Sequence, residues 1–365
     1  MPTRSWRSSP TRSTSSLALA LLLLAFGAHA ATLAPVATKD KKVIRRWALP
    51  GDPRGVAVGA DGTVYVGLAE SQAVIAIDPA TGAIRKRVVL DSAHIAATKE
   101  LVTLRTNADR TRLYIANGSD ESALILSLPD LAVLRELTME GEMIHDVLPD
   151  PKGRYIYVLG RRVHVFDRDG RTELRTLPVD EPMAIAASGT TIAVFSSADF
   201  GTAKAPVRAT SVTLFDTKTF AQIAREPLQT QQHIEAALFA ANDRSLLAFS
   251  RDTLFERAVI SRPLRSSSSR LDMGELVNTN RVCLPEGSGP QVATLAGSDT
   301  LLVYGERRCS ASAAFTGSPR GVTPASLYGI SAYALAYDAN TGTLVATDRG
   351  GTLTVYAVPR PAVSR

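Results

Sequence analysis

A strand–turn–strand pattern that returns every 38 to 56 residues constrains this chain more than any other feature. Its clearest copy is GDPRGVAVGADGTVYVGLAESQAVIAIDPATGAIRKRVVL, residues 51–90. Val56 and Val58 alternate in a first strand that closes at Ala60-Asp61-Gly62. Val64 and Val66 share one face of a second strand, and Tyr65 takes the other. Val74, Ile75 and Ile77 lie in a third, ended by Asp78-Pro79-Ala80-Thr81-Gly82, and Ile84 to Val89 form a fourth. Period-two apolar runs bounded by Gly, Pro and Asp predict short strands joined by tight turns. Asp suits such turns because it bonds its own backbone, and Gly because it accepts positive φ.

Weaker copies run over 102–117, 145–170, 183–219, 235–250, 292–305 and 334–348. Aligning them on their turns puts equivalent positions near 55, 103, 145, 183, 236, 292 and 334. A four-stranded propeller blade takes about 40–45 residues, whereas sandwich domains repeat near 100. The expected fold is therefore all-β: a seven-bladed β-propeller of four-stranded blades over 42–358. The last unit runs out of chain after Thr352–Val358, one strand short, while Val43–Leu49 is a strand to spare at the other end. Ring closure by that N-terminal strand pairing in the last blade is expected, because it leaves no open edge at the seam. The run Asp338-Ala339-Asn340-Thr341-Gly342 is assigned to the turn between first and second strands of the last unit. The strands within 305–333 are not placed.

The first unit resembles the repeat of YVTN-type bacterial β-propellers. The resemblance rests on Pro53, Val56, Val58, Asp61, Gly62, Tyr65, Val66, Val74, Ile77, Asp78, Thr81 and Gly82. It is partial at Leu113-Tyr114-Ile115 and Tyr155-Ile156-Tyr157-Val158, and weak in units five and six. It implies a seven-bladed, secreted propeller and no single activity, since the superfamily mixes lactonases, dehydrogenase subunits and surface proteins.

The N-terminus carries Arg4, Arg7 and Arg12, an apolar run at 17–27 and Ala28-His29-Ala30. That is the pattern of a secretory signal peptide over 1–30, cleaved near Ala30, and the run is too short for a spanning helix. A leader over 31–41 and a tail over 359–365 flank the propeller. A periplasmic or secreted protein, with no transmembrane segment in the mature chain, is expected. Loss of residues 1–30 lowers the net charge from +6 to +3. No basic run with interleaved aromatics remains, so nucleic acid is not an expected partner. With 45% hydrophobic and 21% charged residues, the chain has a globular composition.

In a propeller the first strands line the central channel. Arg54, Glu100, His145, Glu181, His233, Glu235 and Gln291 stand where first strands begin and are expected to converge on one mouth of it. Arg54, His145, Glu181, His233 and Glu235 form the candidate ligand-binding set: a guanidinium fork, titratable imidazoles and carboxylates. No catalytic residue is assigned. His94, His145, His164 and His233 show no ligand spacing, and neither a metal nor a cofactor is expected. A grouping of His145, Glu181 and His233 is the arrangement that would hold a cation. His164, inside Val163-His164-Val165-Phe166, is expected to project out of its strand.

Cys283 and Cys309 are expected to pair, because an exported protein is in a disulfide-permissive compartment. The bridge would close a loop of about 25 residues and stabilise by about 3 kcal/mol. Residues 197–210, 250–257 and 305–325 are read as irregular insertions of blades four to six, on the face of the channel mouth. The leading expectation is a monomeric binding or scaffolding module, using that face for a protein or small-molecule ligand. The alternative is a propeller enzyme, lactonase-like or a periplasmic dehydrogenase subunit, with its site at the channel mouth.

Overall fold

The computed structural model describes residues 31–38, 43–90, 103–116, 121–202, 205–228, 233–240, 245–250, 254–258, 277–278, 291–294, 300–304, 313–318, 321–325, 334–338, 341–348 and 350–357. The expected signal peptide, the tail, Glu100, Cys283 and Cys309 lie outside them. All regular structure among the described residues is β.

Strand β1 (Val43–Ala48) comes first. Sheet one follows as β2 (Pro53–Val58), β3 (Val64–Leu68), β4 (Ala73–Ile77) and β5 (Ile84–Val89). Sheet two is β6 (Thr103–Thr106), β7 (Arg112–Ala116), β8 (Ser122–Ser127) and β9 (Val133–Thr138). Sheet three is β10 (Asp146–Pro149), β11 (Tyr155–Leu159), β12 (Val163–Asp167) and β13 (Glu173–Leu177). Sheet four is β14 (Pro182–Ala187), β15 (Thr191–Thr202), β16 (Ala205–Asp216) and β17 (Gln222–Pro227). Sheet five is β18 (Ile234–Ala240), β19 (Ser245–Ser250), β20 (Leu254–Ala258) and β21 (Val277–Asn278). Sheet six is β22 (Gln291–Thr294), β23 (Thr300–Tyr304), β24 (Ala313–Ser318) and β25 (Gly321–Ala325). Sheet seven holds β26 (Ala334–Asp338), β27 (Thr343–Thr347) and β28 (Thr352–Ala357). Its fourth strand is β1, paired antiparallel to β28 from Val43↔Tyr356 to Ala48↔Thr352. In every sheet the neighbouring strands are antiparallel.

The turns carry the chemistry that their residues dictate. Asp61 accepts from the Thr63 amide (3.0 Å) and hydroxyl (2.7 Å), and Gly62 between them has φ +78°. Asp78 accepts from the Ala80 amide at 2.9 Å, with Gly82 at φ +72°. Asp216 repeats the device by accepting from Lys218 and Thr219. A carboxylate that takes two amides fixes a turn before any tertiary contact forms.

Both faces of sheets one to four are covered, so the period-two alternation there sorts side chains between two interfaces rather than between core and water. Val64 and Val66 pack in a cluster with Val345, Leu353 and Val355 of sheet seven. Tyr65 between them packs with Leu104, Leu113 and Ile115 of sheet two. Tyr114 of sheet two turns to Ile156 and Val158 of sheet three. Tyr157 joins Ile185, Val194 and Phe215 of sheet four. Phe195 and Val212 meet Ile234 and Leu246 of sheet five.

Two expectations need correction. Residues 197–210 are no irregular insertion. β15 and β16 stay in register from Thr191↔Asp216 out to Thr202↔Ala205. Small and polar residues predominate in this segment, so it carries little strand signal of its own, and no flanking strand pairs with its outer part. β14 starts opposite Ser196, and β17 ends opposite Ser211. Likewise β20 takes up residues 254–257 of the 250–257 segment, and β24 and β25 fall within 305–325. The other concerns His164, which is buried.

Candidate functional site

The proposed binding residues lie at or directly before the starts of the first strands. Arg54 is the second residue of β2, His145 precedes β10, Glu181 precedes β14 and His233 precedes β18. Glu235 is the second residue of β18 and Gln291 the first of β22. The imidazoles of His145 and His233 are exposed, as is Glu181. The backbone holds two of these positions tightly. The His145 amide donates to the Leu159 carbonyl (2.7 Å), and the Glu181 amide to the Arg161 carbonyl (2.9 Å). Glu181 sits at φ +46°, a left-handed geometry that a non-glycine residue adopts at some cost.

Arg54 is not an open anion fork. Its Nη2 donates to Asp52 at 2.5 Å, and the Thr347 hydroxyl bonds its carbonyl (2.8 Å). A carboxylate already occupies one edge of the guanidinium, which weakens any pull on a ligand anion.

Beside His145 stands a pair that sequence reasoning missed. Arg105 of β6 donates through Nε (2.9 Å) and Nη2 (2.6 Å) to both carboxylate oxygens of Asp146 in β10. This bidentate contact ties the first strands of sheets two and three at the same end as His145. Asp146 follows His145 directly, and its partner lies 41 residues away.

His164 points inward, not out. Its ring lies between two carboxylates, with Nδ1 2.9 Å from Glu173 Oε1 and Nε2 3.2 Å from Glu142 Oε2. Only the doubly protonated ring donates to both. Burial pushes the Glu173 carboxyl up, but the bonds from His164 and Thr176 outweigh it and leave it below the ordinary range. Glu142 also accepts from the Arg161 amide (3.0 Å). The histidine thus pins the connection that carries His145 to the turn that holds Glu181. Among the described residues, no three His, Cys, Asp or Glu side chains are placed to hold a metal ion. No helix among them is long and apolar enough to cross a membrane.

The β15–β16 ribbon rises at the end where β14 starts. β14 begins at Pro182, opposite Ser196, so every pair from Ser197↔Thr210 outward lies past the point where β14 starts.

No protein-family model matches the chain, and no curated protein matches it. Solved structures do. A chain of the mitotic checkpoint complex is similar at 13% identity and TM-score 0.63, covering 90% of this chain and 97% of that one. A β-propeller domain from Myceliophteria thermophila is similar at 14% identity and TM-score 0.59, covering 89% and 98%. Hydrazine synthase of Kuenenia stuttgartiensis is similar at 13% identity and TM-score 0.60, covering 87% and 97%. At such identities the likeness carries the fold alone: the repeated four-stranded sheets are those of a β-propeller.

Proposed function

We propose that this chain is an exported, YVTN-type propeller of seven blades, closed into a ring by β1, that works as a monomeric binding or scaffolding module. The seven-blade reading is supported by the order of neighbours. β2 lies against β6, and so on through β10, β14, β18, β22 and β26, which lies against β2. Export to the periplasm or beyond is supported by the Arg-rich, apolar, Ala-His-Ala N-terminus. In that compartment Cys283 and Cys309 pair.

The observation that carries the binding reading is the β15–β16 ribbon, six residue pairs longer than its own sheet, from Ser197↔Thr210 to Thr202↔Ala205. It extends past the end at which β14 starts, directly after exposed Glu181, and His145 and His233, which precede β10 and β18, are exposed too. A rigid scaffold with one projecting element fits recognition, since function concentrates on segments held out by a rigid frame. The ligand is a protein or a small molecule that spans ribbon and mouth.

The test replaces residues 198–209 by a two-residue Asn-Gly turn in the full chain, a length that suits a hairpin. Immobilised native chain is expected to retain one defined component of a periplasmic extract. The shortened chain is expected to lose it with an unchanged thermal midpoint. Equal retention by both chains, or by neither, overturns the proposal.

A further inference from the structure

The segment before β1 joins two sheets at once. On one side the Leu33 amide donates to the Gly82 carbonyl, and the Ile84 amide to the Ala31 carbonyl, each at 2.8 Å. On the other side the Val36 amide donates to the Arg46 carbonyl, and the Ala48 amide to the Ala34 carbonyl, again at 2.8 Å. Residues 31–36 therefore lie extended between the outer edge of β1 and the start of β5. They form the antiparallel bridges Thr32↔Ala83 and Pro35↔Trp47.

The residue types fit this role. Pro35 sits at a position where neither strand exchanges an amide with its opposite residue, so its missing N–H leaves nothing unpaired. Leu33 is buried in the cluster that holds Trp47, Leu49 and Val56, with Ile84 packed against it. Outer strands present free backbone groups that accept an added strand. A cleft with backbone partners on both walls and an apolar pocket between them reads an extended peptide by its main chain and by one side chain.

We infer that the cleft between β1 and the β4–β5 turn is a strand-acceptor groove for an extended apolar peptide with leucine at its third position. In this protein residues 31–36 fill it in cis and act as a strap across sheets seven and one. The inference rests on the strap's own bonds and not on the ligand face described above.

The full chain carrying Leu33→Ser empties the pocket while leaving the backbone intact. Hydrogen exchange at the Ala48 and Ile84 amides, which donate to the strap, is expected to quicken by at least ~10-fold, with amides of sheet three unaffected. A synthetic peptide of the sequence of residues 31–38 is expected to bind this variant saturably and restore the slow exchange. It is not expected to bind the native chain, whose groove is full. A second full-length variant, Val36→Pro, removes one donor without touching Leu33 and is expected to quicken Ala48 alone. Unchanged exchange at Ala48 and Ile84 in both variants, or failure of the peptide to protect the Leu33→Ser chain, overturns the inference.

Discussion

Two interfaces between neighbouring sheets solve the same packing problem by different means. Sheets two and three meet through an apolar cluster edged with ion pairs. Arg105 grips Asp146 at one end, and Arg112 reaches the Asp169 carboxylate (2.7 Å) and the Arg168 carbonyl (2.6 Å) at the other. Sheets seven and one meet through buried apolar and backbone groups. The Trp47 indole donates to the Pro79 carbonyl at 3.1 Å, and Leu33 fills the same core. A Cβ built on Gly82 would lie 2.7 Å from the Trp47 ring, so glycine is what lets the indole settle there. The first interface joins segments adjacent in the chain. The second sets sheet one against a sheet made from both ends of the chain, within which Arg46 of β1 meets Thr354 of β28 across 308 positions. Apolar burial resists salt and mild acid in a way that half-exposed ion pairs do not. The interface whose sheet gathers both ends of the chain is therefore built from the less condition-dependent interaction.

The largest expected effect breaks the second interface. Trp47→Ala should lower unfolding free energy by about 3–5 kcal/mol, the usual loss for a large buried aromatic. Gly82→Ala should lower it too, by about 1–3 kcal/mol of backbone strain plus the clash with the ring. In a double-mutant cycle the clash disappears once Trp47 is gone, so the two losses should add to less than their sum. Urea unfolding of the four chains measures this, and full additivity would show that Gly82 does not seat the indole.

A smaller effect belongs to sheets two and three. Arg105→Ala should destabilise by about 1 kcal/mol or less, since the pair is only partly buried. The loss should shrink as salt rises, whereas that of Trp47→Ala should not. If Arg105→Ala proved the more damaging substitution, the contrast between the interfaces would fail.

The smallest effect is a pH dependence. The Arg112 side chain beside Asp169 holds its carboxyl below the ordinary carboxylate range. Its contribution is then fully present above about pH 4, the unfolded value, and is lost as pH falls through the folded one. Asp169→Asn should flatten the acid side of the stability profile and leave the neutral side nearly parallel to the native curve. Thermal midpoints between pH 2 and 7 read this directly.

Much of the scaffold was legible before any coordinate. The alternation of Val64, Tyr65 and Val66 and the turns at Asp61 and Asp78 each depend on residues one to five apart, and all fall where they were expected. So does Asp338 to Gly342, the turn between β26 and β27. The candidate site was legible only as positions. His145, Glu181 and His233 each directly precede a first strand, Arg54 is engaged by Asp52, and Arg105 carries no local signal. His164 looked like an outward residue because a strand pattern cannot tell which sheet will cover it. The ribbon at 197–210 looked like loop because small and polar residues carry no strand signal until the hairpin register is known.

The chain by itself therefore determined the strand grammar and the turn geometry, because those follow from contacts within a few residues. Only the tertiary structure decided which sheet each face meets, which carboxylate each arginine finds and where residues 31–36 lie. Those choices depend on how successive sheets stack and on where the two ends of the chain come together. Partners 41 or 308 positions apart leave no periodicity in the sequence between them.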